Sequence, residues 1–362
     1  MATDEGTYEF KLQHGDEFGR TYFRRFDGLA VSSLGVGTYL GDPTDAVDAR
    51  YRDAVATALE GGVNVVDTAV NYRHQRSERA VGDAIDHADV DRDAVFVSTK
   101  GGFVPFDGER PDDPGEYVRR EFVEPGVVDR EDLARGQHAL APDFLDASLD
   151  RSLDNLGLDA VDLYYVHNPE TQLHARSREA VYDRLEAAFT RLEERAADGD
   201  IGAYGVATWD AFRVPADHDR YLALPEVVSR ARAAAKAAGN TATHLRAIQL
   251  PFNVFMADAF TVEAHEGPDG PQSALQFAHE AGLNVFTSAS IAQGELADRM
   301  PEDVAQRLAG ESTAQRAINF ARSAPGVTSS LVGSGDPEHV AENLAACRFD
   351  PMGADAFDAV FE

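Results

Sequence analysis

Short apolar runs alternate with amphipathic stretches along most of this 362-residue chain. Eight of the runs read as strands: Leu34 to Thr38, Val63 to Thr68, Ala94 to Lys100, Val161 to His167, Gly202 to Thr208, Arg246 to Leu250, Leu283 to Ala289 and Ser329 to Gly333. Short, nearly continuous runs of this kind suit strands covered on both faces. Between them the spacing of apolar positions predicts helices over 45–59, 78–87, 142–156, 178–197, 225–238, 272–281, 313–323 and 336–346. Asp336-Pro337 reads as a helix cap followed by proline in the first turn.

Strands that alternate with helices form a parallel sheet, because each crossover carries a helix. Eight such units close a barrel, so the expected fold is α/β, a single (β/α)8 TIM barrel over residues 30–350. Residues 1–29 form an N-terminal segment able to place a strand pair across the barrel floor, and 351–362 form a C-terminal tail. An open doubly wound sheet is the competing fold. Leu34-Gly35-Val36-Gly37-Thr38 has two glycines of its phosphate turn, but Leu40 stands at the third position and no helix follows directly. Residues 102–141, rich in Pro, Gly and Asp, are an insertion after strand three. Loops of that length are usually functional or disordered, and this one leaves the rim where such barrels place chemistry. It is expected to form a wall or lid on the substrate side.

Charge narrows the range of partners. Sixty-three acidic against 33 basic residues give a net charge of −30, which repels nucleic-acid phosphates and anionic lipid. Lysine is nearly absent: Lys11, Lys100 and Lys236 stand against thirty arginines. The balance resembles that of proteins from salt-loving archaea, where molar salt shortens the Debye length to about 3 Å. Cys347 is the only cysteine, so no intrachain disulfide forms and a reducing cytoplasm fits. The first residues lack a signal-type apolar stretch, and no run approaches the roughly 18 to 20 apolar residues that span a bilayer. A cytoplasmic protein is expected, with no membrane partner; nothing bears on oligomeric state.

The candidate chemistry lies at strand ends. Asp67 closes strand two and Tyr72 follows it, Lys100 closes strand three and His167 closes strand four. An arginine cannot stand in for a compact, tunable ammonium, so a lysine retained in an arginine-rich chain is a catalytic candidate. Asp67 would keep Lys100 charged, and Lys100 near the Tyr72 hydroxyl would lower the tyrosine pKa from about 10. Tyr72 would then act as general acid or base on a carbonyl or alcohol, with His167 orienting the carbonyl oxygen. No activated Ser or Cys and no metal-binding pattern such as His-Glu-x-x-His accompanies them. A metal-dependent isomerase or aldolase on the same barrel would need an acidic metal cluster, and none is present, so no metal ligands are assigned.

With Asp67-Thr68-Ala69, Tyr72, Ser98-Thr99-Lys100 and the His167 strand in this order and spacing, the chain resembles the aldo-keto reductases. Further matches are Gln249 and Asn253, Gln293-Gly294, and Val332-Gly333-Ser334 with Pro337, Glu342 and Asn343. The resemblance covers about residues 30–347. It implies an NAD(P)-dependent oxidoreductase that interconverts a small carbonyl and an alcohol, with Asp67, Tyr72, Lys100 and His167 catalytic. It also implies a cofactor site of Gly37, Thr38, Thr208, Gln249, Ser288, Gln293, Gly294, Gly333, Ser334, Glu342 and Asn343. Gln249 would take the carboxamide, and Ser334, Glu342 and Asn343 the adenosine half. Departures cluster there. Ala207-Thr208 replaces the usual Ser-Asn, Ser288 stands where an aromatic stacks on nicotinamide, and Gly333 and His339 replace a basic pair at the 2′-phosphate. Trp209 or Phe286 is available for the missing stacking surface. The cofactor is NADP or NAD, with a slight lean to NADP. The alternative is a nucleotide-binding barrel that serves as a regulatory or partner-binding subunit with little turnover.

Overall fold

The computed structural model describes residues 1–361. A hairpin comes first, β1 (Phe23–Phe26) antiparallel to β2 (Leu29–Ser32). The strands β3 (Leu34–Gly37), β4 (Val65–Asp67), β5 (Phe96–Gly101), β6 (Val161–His167), β7 (Ile201–Ala207) and β8 (Leu245–Pro251) follow. A second hairpin, β9 (His265–Gly267) with β10 (Gly270–Gln272), precedes β11 (Asn284–Ser288) and β12 (Val327–Gly333). Strands β3 to β8, β11 and β12 form one closed parallel barrel, with β12 paired to β3 and β8 to β11. The expected (β/α)8 barrel is the fold. Its helices after successive barrel strands include Asp45–Glu60, Arg76–His87, Pro142–Leu156, Arg178–Asp198, Leu224–Ala237, Ala274–Glu280, Thr313–Ser323 and Pro337–Ala346.

Local chemistry sets these boundaries. Thr44, Ser177, Ser273, Ser312 and Asp336 cap helix starts by accepting from a backbone N–H two or three residues on. Gly157 and Gly199 end two helices in the left-handed conformation, where a Cβ is penalised. Two apolar layers result. The larger lies between barrel and helices; the smaller fills the barrel bore with Val65, Phe96, Leu163, Tyr165, Phe286 and Leu331. The first hairpin closes the bore from below. Phe26 meets Phe96 edge-on at 4.8 Å, and Phe96 stacks on Phe286 at 5.9 Å. Each fully buried phenylalanine contributes about 1.5 to 3 kcal/mol relative to an exposed one.

Two segments differ from the sequence reading. Asp4–His14 is a helix ahead of the hairpin, capped by Thr3, whose hydroxyl accepts from Gly6 N at 3.0 Å. Phe10 is its only large apolar buried residue, so no periodicity marked it. The insertion is ordered, with Val104, Val118, Phe122, Val128 and Ala139 packing on Phe144 as a small core of its own. Its stem is a short ladder: Val104 N donates to Gln137 O at 2.8 Å, and Ala139 N to Gly102 O at 2.9 Å.

Arginines draw acids into clusters at the surface. Arg230 meets Glu179, Asp183, Glu186 and Glu226, and Arg195 meets Asp146, Asp150 and Asp200. Each exposed pair is worth only about 0 to 1 kcal/mol, and thirty net negative charges remain after every base is counted. Self-repulsion therefore outweighs what salt takes from the pairs. The melting temperature is expected to rise by several degrees between 0.1 M and 2 M NaCl. A flat or falling curve in a thermal scan would contradict this.

Candidate active site

The barrel register brings the strand ends level. Gly37 pairs with Asp67 and Asp67 with Ser98; His167 pairs with Ala207, Ala207 with Gln249, and Gly333 with Gly37. Above this rim lies a cavity of about 670 Å³. Asp67, Tyr72 and His167 line it, while Lys100 is completely buried behind them.

Asp67 is the hub of the buried polar groups. One oxygen takes the Lys100 ammonium at 2.5 Å, and the other accepts from Ser98 Oγ at 2.8 Å and Gln249 Nε2 at 2.9 Å. Lys100 Nζ also donates to Thr68 O at 2.8 Å. Burial pulls the Lys100 pKa down, and Asp67 and then Glu78 push it back up. Glu78 is itself fully buried and accepts from Thr99 Oγ1 at 2.5 Å and Asn155 Nδ2 at 2.8 Å.

Tyr72 stands over this pair. The Lys100 ammonium lies 5.0 Å from the centre of its ring, on the face and not on the hydroxyl. Burial, then the Asp67 charge, then Tyr39 raise the Tyr72 pKa well above its ordinary value. The expectation that Lys100 lowers it is not met in this geometry, because the ammonium is committed to Asp67 and Thr68. No protein group among the described residues hydrogen-bonds the Tyr72 hydroxyl. The chain just beyond is left-handed at Arg73, His74 and Gln75, with φ of 46°, 59° and 70°. Such conformations cost about 1 to 2 kcal/mol each for non-glycine residues. They are held by Arg73 on Asp42 O (3.0 Å) and on Asp48, and by Gln75 Nε2 on Phe106 O (3.0 Å).

His167 meets the Tyr72 ring edge-on at 5.8 Å and the Phe103 ring at 5.2 Å. Burial, then Lys100, then His138 hold its pKa well below the ordinary histidine range, so the imidazole is neutral. Its Nδ1 is buried without a partner.

Of the cofactor candidates, Gly37, Thr38, Thr208, Gln249, Ser288, Gln293, Gly294, Gly333, Glu342 and Asn343 line the same cavity. Ser334 does not. It is buried and donates to Asp336 O at 3.2 Å, within the turn that starts the helix Pro337–Ala346. Phe286 is no stacking surface either, because it is sealed in the barrel bore. Trp209 does line the cavity and is 40% exposed. Asn253 ties two rim loops together by donating to Ala289 O at 2.8 Å. Residues that sequence reasoning did not single out are Tyr39, Asn71 and Phe103, which line the cavity, and His138 below it. Gly101-Gly102, directly after Lys100, was the one signal for the last two.

The fold is a (β/α)8 barrel with a cavity at the carboxyl ends of its strands. The chain belongs to the aldo/keto reductase family, whose model matches residues 33–217. It is 23% identical over 336 residues to a putative voltage-gated potassium channel subunit beta of Schizosaccharomyces pombe, covering 89% of this chain and 86% of that protein. It is 29% identical to the NADH-specific methylglyoxal reductase of Escherichia coli, over 55% of this chain. There it spans about half of the relative's length, 54%. An aldo/keto reductase from Klebsiella pneumoniae, solved with NADP and acetate, superposes with a TM-score of 0.61 at 18% identity, over 94% of each chain. That likeness carries the fold alone. The four strand-end residues fall inside the matched stretch, whereas Gln249 and every cofactor candidate after it lie beyond.

Proposed function

We propose that this protein reduces a small aldehyde or ketone to the alcohol, or runs the reverse, with Tyr72 as general acid and base. The observation that carries the reading is the partner-free Tyr72 hydroxyl beside a neutral His167, above a buried Lys100–Asp67 pair, in one cavity. When bound, a reduced nicotinamide supplies the hydride. Tyr72 delivers the proton to the carbonyl oxygen as charge develops there, and its raised pKa keeps that proton in place beforehand. His167, neutral and able to donate one hydrogen bond, would orient the same oxygen. The Lys100 ammonium, paired with Asp67, lies 5.0 Å from the centre of the Tyr72 ring and supports that ring from beneath.

The cavity fits a dinucleotide. The ends of β3 and β12 are bare: a Cβ built on Gly37 or Gly333 would meet nothing closer than 3.8 Å, so a ligand can approach the backbone. Thr208 Oγ1 is buried without a partner at the cavity wall, as a carboxamide ligand would require. Gln249 and Thr208 would hold the nicotinamide end, and Gly333, Glu342 and Asn343 the adenosine end.

Among the described residues no arginine or lysine lines this cavity. A 2′-phosphate would therefore lack charge-assisted bonds worth about 1.5 to 3 kcal/mol each. Fluorescence titrations are expected to give dissociation constants for NADPH and NADH that differ by less than about a hundredfold. A ratio above a thousand would contradict the assignment of that end. Turnover with a panel of aldehydes tests the reaction itself. The second reading, a regulatory nucleotide-binding subunit, draws on the altered cofactor positions and the long match to the yeast protein. Tight binding without turnover would favour it.

A further inference from the structure

Catalytic histidines are commonly oriented through their second ring nitrogen, yet Nδ1 of His167 is buried with no partner. The ring is held instead by packing, between Tyr72 on one side and Phe103 on the other. Its main chain is held from outside the barrel. His138, from the far leg of the insertion stem, donates from Nε2 to the carbonyl oxygen of His167 at 2.8 Å. Because a carbonyl only accepts, Nε2 carries the hydrogen and Nδ1 must accept. Gln172 Nε2 supplies that donor at 3.0 Å and also donates to His138 O at 2.7 Å. Arg176 Nε in turn donates to Gln172 Oε1 at 3.1 Å. His138 reaches His167 a second way, since its ring meets Phe103 at 4.8 Å. Space for this approach is left by Gly102, at φ 144°, where a Cβ would stand 2.8 Å from His167 O and 3.1 Å from His138 Nε2.

We propose that His138 is a positioning residue for the His167 imidazole, and that the insertion acts on catalysis through it and not only as a wall. This rests on the carbonyl-reductase reading. His138 is fully buried, and burial lowers its pKa to about 4, so it keeps its donor and acceptor roles across the working pH range. Loss of the anchor lets His167 drift from the carbonyl oxygen, and displacements of about 1 Å can cost roughly a hundredfold in rate.

The test compares wild type, His138→Phe and His138→Gln. In His138→Phe, kcat for aldehyde reduction should fall by about 10- to 100-fold, with KM changed less than about threefold and the NADPH dissociation constant within about twofold. His138→Gln, whose amide can donate to the same carbonyl, should recover to within about threefold of wild type. A folded His138→Phe with kcat within twofold of wild type overturns the proposal, as does a glutamine variant no better than phenylalanine. If His138→Phe does not fold, Gln172→Met leaves His138 in place but removes its Nδ1 donor, together with the Gln172 bonds to His138 O and from Arg176, and should lower kcat by about 3- to 10-fold; an unchanged kcat there overturns it. If wild type binds NADPH but reduces no carbonyl, the reductase reading fails separately. Histidine-selective ¹⁵N spectra then decide the positioning alone: the His167 ring signals should move in His138→Phe and return in His138→Gln, and unmoved signals overturn it.

Discussion

Tyr72→Phe is expected to lower carbonyl reduction by at least about a hundredfold and by as much as about ten-thousandfold, the range general acid catalysis covers. The ring stays, so its edge contact with His167 and its place over Lys100 survive. The hydroxyl has no protein partner among the described residues, so its removal leaves no stranded donor or acceptor. Stability and cofactor affinity should hold. Steady-state rates with a good aldehyde, circular dichroism in molar salt and an NADPH titration together make the test. More than a tenth of wild-type kcat in the phenylalanine variant would remove Tyr72 from the chemistry. A matching loss of cofactor affinity would make the hydroxyl a binding group instead.

Substitution of Lys100 should cost both rate and stability. Its ammonium is buried completely and meets Asp67 at 2.5 Å and Thr68 O at 2.8 Å, a geometry with no spare width. Lys100→Arg keeps a charge but brings a planar fork into a space shaped for a compact group, so most activity should be lost. Lys100→Met strips the buried Asp67 carboxylate of its counter-charge, leaving Ser98 and Gln249 as its donors. Breaking a buried pair from one side costs about 3 to 5 kcal/mol, which denaturant titration in high salt would read directly. It also removes the cation that lies against the face of the Tyr72 ring. Near-normal turnover in Lys100→Arg would reduce that lysine to a strand-end structural residue.

The barrel was legible because a doubly covered strand must be apolar along its whole length. Val161–His167 and Thr313–Ser323 carry the same bounds in sequence and structure. The candidate tetrad was legible for a related reason: polar residues that interrupt or end such runs stand out, as Lys100 and His167 do. What stayed hidden lacked a period. The helix Asp4–His14 buries only Phe10 among large apolar side chains. The insertion hides its core in an irregular path, so the pairing of His138 with His167, 29 residues apart, left no local trace. Phe286 and Ser334 show the other limit. Neither a place in a matched motif, as for Ser334, nor a place on a rim strand, as for Phe286, says which way a side chain points, and both turn away from the cavity, Phe286 into the bore and Ser334 into a helix turn.

Gly102 has a consequence for how this loop can change over generations. Away from its contacts at Phe106 and Asp132, the insertion packs on itself and on Phe144, so exposed positions such as Glu109, Asp112 and Asp129 can be exchanged without disturbing the strands. Position 102 has no such freedom. Even one added carbon would strike the His167 carbonyl or the His138 ring, in a backbone conformation that only glycine adopts readily. Descendants of this protein can therefore remodel the loop as a cassette, fitting new substrates, while the root from which it hangs stays the same.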